Sequence, residues 1–120
     1  MNIVLIGSGR VSRVLGHAFK TAGHNILLVH GRNSATSDQL ADELNATSGD
    51  IPDIPSETDL ILIAVSDDSI YDVSELLPDT KYVVAHCSGS RSLEDLSDKH
   101  RHRGVFYPLD SFSEDSSVDL

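Results

Sequence analysis

The feature that most limits the fold is the run Asn2-Ile3-Val4-Leu5-Ile6, nearly continuous in apolar residues, which stops at Gly7-Ser8-Gly9. A strand with one wet face alternates polar and apolar side chains. This run does not alternate, so it suits a strand covered on both faces, as in a parallel sheet. Val11, Leu15, Ala18, Phe19 and Ala22 then recur on one helical face, and Gly23 stops the helix.

The same alternation continues down the chain. Asn25 to His30 is a second buried-type strand, and Gly31-Arg32-Asn33-Ser34 follows as a loop. Ser37 or a neighbour starts a helix with Leu40, Ala41 and Leu44 inward. Gly49 to Pro55 reads as a loop, with room for a very short strand near Ile51 to Ile54. Leu60 to Val65 is the strongest strand, and Ser66-Asp67-Asp68 offers caps for a helix with Ile70, Val73, Leu76 and Leu77 inward. Lys81 to Ala85 is another strand. Ser92 with Asp95 signals a short capped helix, and Gly104 to Tyr107 a last strand. Strand and helix in alternation with short links call for a three-layer α/β domain, with a mostly parallel sheet of about six strands joined by right-handed crossovers.

Charge narrows the partners. The net charge of −10 argues against a general nucleic-acid binder, which needs a basic surface. No apolar run approaches the ~20 residues that cross a bilayer, so no membrane partner is expected. One cysteine, Cys87, excludes an internal disulfide and fits a reducing compartment, with the cytoplasm as the expected location. The charge is uneven. Residues 1–37 contain four bases and no acid, whereas residues 38–79 contain twelve acids and no base. An acid-free opening segment suits a small anion, although solvated acidic helices alone produce the same pattern.

Four positions can carry chemistry. The first is Gly7-Ser8-Gly9-Arg10-Val11-Ser12, between strand and helix, where a dinucleotide fingerprint lies. Gly7 permits the tight turn, Gly9 lets a pyrophosphate approach the main chain, and the N–H groups of Ser8 to Val11 meet its charge. Ser12 replaces the usual third glycine; being small, it still allows close helix–strand packing. A glycine turn without a ligand is the alternative. The second is His30-Gly31-Arg32-Asn33-Ser34, at the carboxyl end of the second strand, where Arg32, Asn33 and Ser34 supply the polar groups. An NAD site places an acid there, and a guanidinium suits a 2′-phosphate instead, so NADP is expected over NAD. The alternative is an exposed loop arginine. The third is Val65, Ser66 and Asp68, near the second ribose and the nicotinamide, or else simple capping. The fourth is His86-Cys87-Ser88-Gly89. His86 is a candidate proton-transfer group or a hydrogen-bonded structural histidine, Cys87 an inert buried thiol, and Ser88 a polar contact to nicotinamide or substrate. His100-Arg101-His102-Arg103 reads as a cationic helix end, and no metal site is expected.

The segments IVLIGSGRVSRVLGHAF, TAGHNILLVHGRNS, DLILIAVSDDSI, VVAHCSGS and GVFYPLDSF together resemble one family along nearly the whole chain. It comprises bacterial Rossmann-like NADP oxidoreductases that carry a C-terminal helical domain of unknown function. They are similar to the cofactor domains of pyrroline-5-carboxylate reductases and deazaflavin-dependent NADP oxidoreductases. The resemblance implies that Gly7, Ser8, Gly9, Arg10 and Val11 form the pyrophosphate loop, with Arg10 where asparagine is common. It implies that Arg32, Asn33 and Ser34 meet the adenosine phosphate, that Val65, Ser66 and Asp68 meet the nicotinamide ribose, and that His86 is among the cofactor-binding residues, with His86, Ser88 and Gly89 matching a His-Thr-Ser-Gly-like segment in which Cys87 stands for threonine. Tyr107 to Phe112 matches a further segment, with Asp110 and Ser111 departing from it.

The resemblance sets the remaining expectations. Residues 1–109 form the dinucleotide-binding domain, and residues 110–120 are a polar acidic tail or a linker to a missing helical domain. The function is that of the NADP-binding domain of an oxidoreductase transferring hydride to or from an imine, carbonyl or similar small substrate, inactive without a C-terminal domain. A homodimer is an open expectation. The competing expectation is a non-enzymatic nucleotide-sensing or interaction module on the same fold. A degenerate fold without a ligand is a third.

Overall fold

The computed structural model describes residues 1–78, 82–88, 92–100 and 102–105. Six strands form one sheet: β1 (Asn2–Ile6), β2 (Asn25–His30), β3 (Thr47–Ser48), β4 (Leu60–Ile63), β5 (Val83–His86) and β6 (Arg103–Val105). Their order is β3-β2-β1-β4-β5-β6, and every neighbouring pair is parallel. This is the doubly wound dinucleotide order, in which the chain reverses direction across the sheet at β1 and leaves a crevice beyond its carboxyl end. The helices are α1 (Arg10–Thr21), α2 (Ser34–Glu43) and α3 (Ile70–Leu76).

The continuous apolar runs become two cores because successive side chains point to opposite faces. Ile3 and Leu5 pack with Leu15 and Phe19 of α1 and with Leu40, Ala41 and Leu44 around α2. Val4 and Ile6 pack with Ile70 of α3, Leu77 and Leu96 on the other side. The sheet is thus covered on both faces, the three-layer arrangement expected.

Several local expectations need correction. Helix α2 begins at Ser34, not near Ser37, because Asn33 Oδ1 accepts from the N–H groups of Ala35 and Thr36 and starts the helix early. No strand forms near Ile51 to Ile54. Asp50 and Asp53 make a reciprocal capping box that winds Ile51–Asp53 into a 3-10 turn, and the short strand lies earlier, at Thr47–Ser48. Strand β4 ends at Ile63 rather than Val65. Ala22 is exposed, while Ser12 and Gly16 occupy the buried face of α1. In α3 the inward positions are Ile70 and Ser74, with Val73 half-buried against the same core, followed by Leu77, and Leu76 is 67% exposed. The serine is tolerated inside because its hydroxyl donates to Tyr71 O at 2.7 Å and accepts from Ser97 N–H at 2.8 Å. The expected strand over Gly104 to Tyr107 begins at Arg103, and Phe106 onward lies outside the described residues. So does the whole of residues 110–120.

Candidate nucleotide-binding cleft

The carboxyl ends of β1, β2 and β4 converge on an open cleft of about 530 Å3. It is lined by Gly7, Ser8 and Gly9 from the first crossover, His30 to Asn33 from the second, and Ala64 to Ser66 with Ser69 after β4. Ile51, Val73 and Leu76 supply an apolar wall.

Gly7 and Gly9 are glycines for different reasons. Gly7 has φ +124°, and a Cβ there would lie 2.2 Å from the carbonyl oxygen of Ala64. The protein's own packing therefore demands glycine at that position. Its N–H donates to His30 O at 2.5 Å, and its carbonyl accepts from Ser12 Oγ at 2.7 Å. Ser12 thus occupies the third glycine's place, fully buried, and locks the turn that it was expected only to fit. Gly9 has φ −82°, which any residue adopts, and a Cβ there would meet nothing within 4 Å. No contact with a described residue requires glycine at this point. What a side chain there would fill is the space at the start of α1, whose first turn has no acid and no side-chain cap. Uncapped N–H groups at a helix start facing open space form a cradle for an anion. The residues present therefore fit the diphosphate of a dinucleotide.

The second crossover brings one cation to the same cleft. Arg32 is exposed, and its Nη2 lies 3.4 Å from Ser69 Oγ, which is 3.2 Å from Ser66 Oγ. Asn33 lines the cleft, but its Oδ1 is engaged in capping α2. Ser34 is the first residue of α2 and is not among the lining residues. His30, which opens the second candidate segment without a role of its own, lines the cleft; its Nδ1–H donates to Gly49 O at 2.9 Å, and Asp50 Oδ1 lies 3.7 Å away. No local signal marks Ile51, Val73 or Leu76 as cleft residues, since they come from a 3-10 turn and from α3, away from the glycine turn and the Arg32 loop. Arg10 and Val11 lie in the first turn of α1, outside the lining, and Arg10 is exposed.

The edge over β4 and β5 is different. Val65 and Ser66 line the cleft, and Ser66 precedes the 3-10 turn Asp67–Ser69 without capping it through its side chain. Asp68 is exposed on that turn and stands outside the lining. His86 is fully buried. Its Nδ1 accepts from the N–H of Ser88 at 3.1 Å, so the proton sits on Nε2, which donates to Ser92 O at 2.8 Å. Both ring nitrogens are taken, and His86 neither lines the cleft nor has a nitrogen left for a substrate. Ser88, half-buried, is likewise outside the lining. Burial pushes the Cys87 thiol up to about 11, so it is protonated and inert near neutral pH. Gly89 and Tyr107 to Phe112 lie outside the described residues.

Two further expectations meet the structure here. His100 is not on a cationic helix end: it is buried, and its Nε2–H donates to Ser74 O at 2.7 Å. Arg103 lies in β6, its guanidinium donating to Leu96 O. Among the described residues no cluster of His, Cys, Asp and Glu has the arrangement of a metal site. No described helix is long and apolar enough to cross a membrane.

Known proteins place this geometry. The chain is similar to the structure of a protein assigned as an NADP oxidoreductase in Bacteroides fragilis, at 25% identity and a TM-score of 0.85, covering 98% of this chain and 47% of that one. It is similar in fold to prephenate dehydrogenase from A. aeolicus, solved with NAD+, at 13% identity and a TM-score of 0.77, covering 99% of this chain and 46% of that one. It is similar in fold to 1-pyrroline-5-carboxylate reductase from Streptococcus pyogenes, at 19% identity and a TM-score of 0.67, covering 89% of this chain and 41% of that one. The chain therefore spans less than half the length of these structures. No curated protein matches the sequence. Residues 2–88, which include the glycine turn, Arg32, Ser66 and His86, match the family model described as NADP oxidoreductase, coenzyme F420-dependent. The chain belongs to that family, an oxidoreductase family whose cofactor is a nicotinamide nucleotide.

Proposed function

We propose that this chain binds NADP(H) across the carboxyl edge of β1 and β2, as the cofactor module of an oxidoreductase acting on an imine, carbonyl or similar small substrate. The observation that carries the reading is the contrast at the glycine turn. Gly7 is required by the fold, whereas Gly9 opens onto empty space at the start of α1, beside the cleft, where a ligand would fit. The main-chain N–H groups of Ser8 to Val11 would hold the diphosphate. Arg32, exposed at the end of the second crossover, would hold a 2′-phosphate, and no acid between Met1 and Ser37 stands to repel it. Ile51, Val73 and Leu76 offer the adenine an apolar wall. Val65 and Ser66 lie where the chain leaves β4 and would face the second ribose. The bound nicotinamide supplies the hydride chemistry; the protein's share is to orient it.

Titration calorimetry with both reduced nucleotides tests the cofactor assignment. NADPH is expected to bind at least ~10-fold tighter than NADH, the worth of one charge-assisted phosphate contact. Equal or tighter binding of NADH overturns it. We also expect this 120-residue chain to bind cofactor without turning over. The cleft is open to water, and neither His86 nor Cys87 offers a proton at the nicotinamide edge. That occupied histidine also favours a second reading, a nucleotide-sensing module. NADPH oxidation by this chain with an imine or carbonyl substrate would exclude the sensor and the expectation of inactivity together.

A further inference from the structure

The glycine turn and the Arg32 loop belong to different crossovers, yet a run of hydroxyls joins them. Ser8 Oγ lies 2.8 Å from Thr36 Oγ1. Thr36 Oγ1 lies 3.0 Å from the carbonyl oxygen of Asn33, which can only accept. Thr36 therefore gives its hydrogen to Asn33, and Ser8 must be the donor in the first bond. The hydrogen of Ser8 is thus committed within the protein, and its contribution to an anion comes through the main-chain N–H.

The other end of the run is held firmly. Asn33 O also accepts from Ser37 Oγ at 2.9 Å, and Asn33 Oδ1 accepts from Ala35 N–H at 2.9 Å and Thr36 N–H at 3.3 Å. Gly31, on the near side of Arg32, is packed into the same joint. A Cβ on it would lie 2.5 Å from Ser8 Oγ and 2.6 Å from Ser37 Oγ. The main chain of Arg32 is thus bracketed by two residues that touch this network.

We propose that Thr36 is a positioning residue for cofactor selectivity. Its hydroxyl, accepting from Ser8 and donating to Asn33, sets the distance between the diphosphate turn and the Arg32 main chain, so that both phosphate groups of one NADP are met at once. The inference rests on the proposed function above and deepens it. Arginine carries large rotamer freedom, and holding its main chain lowers the ordering cost of reaching the 2′-phosphate. NADH has no such phosphate, so it gains nothing from this spacing.

The test compares Thr36→Val, which removes the hydroxyl at nearly constant shape, with Thr36→Ser, which keeps it; Thr36→Ala serves as a second hydroxyl-free variant. Affinities for NADPH and NADH are measured by calorimetry on each folded chain. Thr36→Val and Thr36→Ala are expected to weaken NADPH about three- to tenfold, the scale of one neutral hydrogen bond. NADH should change less than about twofold, and Thr36→Ser should retain the parent preference. Equal weakening of both nucleotides, or an unchanged preference in Thr36→Val, overturns the inference. If the parent chain binds neither nucleotide, or both equally, the proposed function falls and the role of Thr36 falls with it. If the parent preference exists and survives Thr36→Val, the positioning role falls alone.

Discussion

The two halves of the sheet present opposite kinds of edge. Over β1 and β2 the carboxyl edge includes a helix start without a side-chain cap, one exposed arginine and a glycine whose missing side chain leaves space. Over β5 the described side chains are already engaged within the protein: His86 is tied to the N–H of Ser88 and the carbonyl of Ser92, and the Cys87 thiol is held protonated by burial. Polar groups left open await a ligand, whereas polar groups satisfied internally hold a loop in place. The contrast supports the binding proposed at the first edge and leaves the second with a structural task.

The largest effect is expected where the first edge is fixed by the protein itself. Gly7→Ala forces a side chain into a left-handed backbone and against Ala64 O, and should cost about 3 kcal/mol or more, read as a loss of thermal stability. A melting temperature equal to the parent's would show that the turn relaxes freely. Gly9→Val is the counterpart. It should weaken NADPH by about 100-fold or more, through loss of roughly 3 kcal/mol of contacts at the diphosphate, while the melting temperature stays near the parent's. Retained affinity in a folded Gly9→Val chain removes the diphosphate from that space.

The second edge should behave in reverse. His86→Phe strands the N–H of Ser88 and the carbonyl of Ser92, for a loss of about 2 kcal/mol in chemical denaturation. NADPH affinity should change little by comparison. A large affinity loss without destabilisation would move His86 back among the binding groups.

The smallest effect belongs to the outer face, away from both edges. There Glu43 of α2 accepts from His17 at 2.8 Å and Arg13 at 3.1 Å of α1. The His17 hydrogen bond, aided by the Arg13 charge, holds the Glu43 carboxyl below its ordinary range. A carboxyl lowered on folding stabilises the fold above its unfolded pKa, and that contribution is lost as pH falls through the folded value. Because the pair is exposed, Glu43→Gln should cost less than about 1 kcal/mol at pH 7. The difference from the parent should shrink to nothing as pH falls below the carboxylate range, in melts run across pH 7 to 3.

Much of this architecture was legible in the sequence, and for a stateable reason. Asn2 to Ile6 lacks alternation because both faces of β1 are covered, and that single fact implies a parallel sheet between two layers of helices. Gly7-Ser8-Gly9 marked the turn, and Arg32 marked the end of the second crossover. Misread positions share a cause. Leu76 looks inward by its apolar side chain, but Ser74 faces inside, where its hydroxyl accepts from the N–H of Ser97. His100 looks like part of a basic run, but Ser74 O draws it into the interior. In each case a contact between distant segments overrides a local pattern.

The sequence alone determined the layered fold and the sites of its turns, because apolar period and glycine placement are local properties that the chain carries wherever it goes. Only tertiary structure decided what each candidate side chain does. Whether a glycine faces a neighbour or a void depends on atoms contributed by other crossovers, and whether a histidine has a nitrogen to spare depends on how the chain beyond its strand folds back over it. Gly7 meets Ala64, Gly9 meets open space, and His86 meets Ser92. Those encounters exist only once the sheet has ordered its strands.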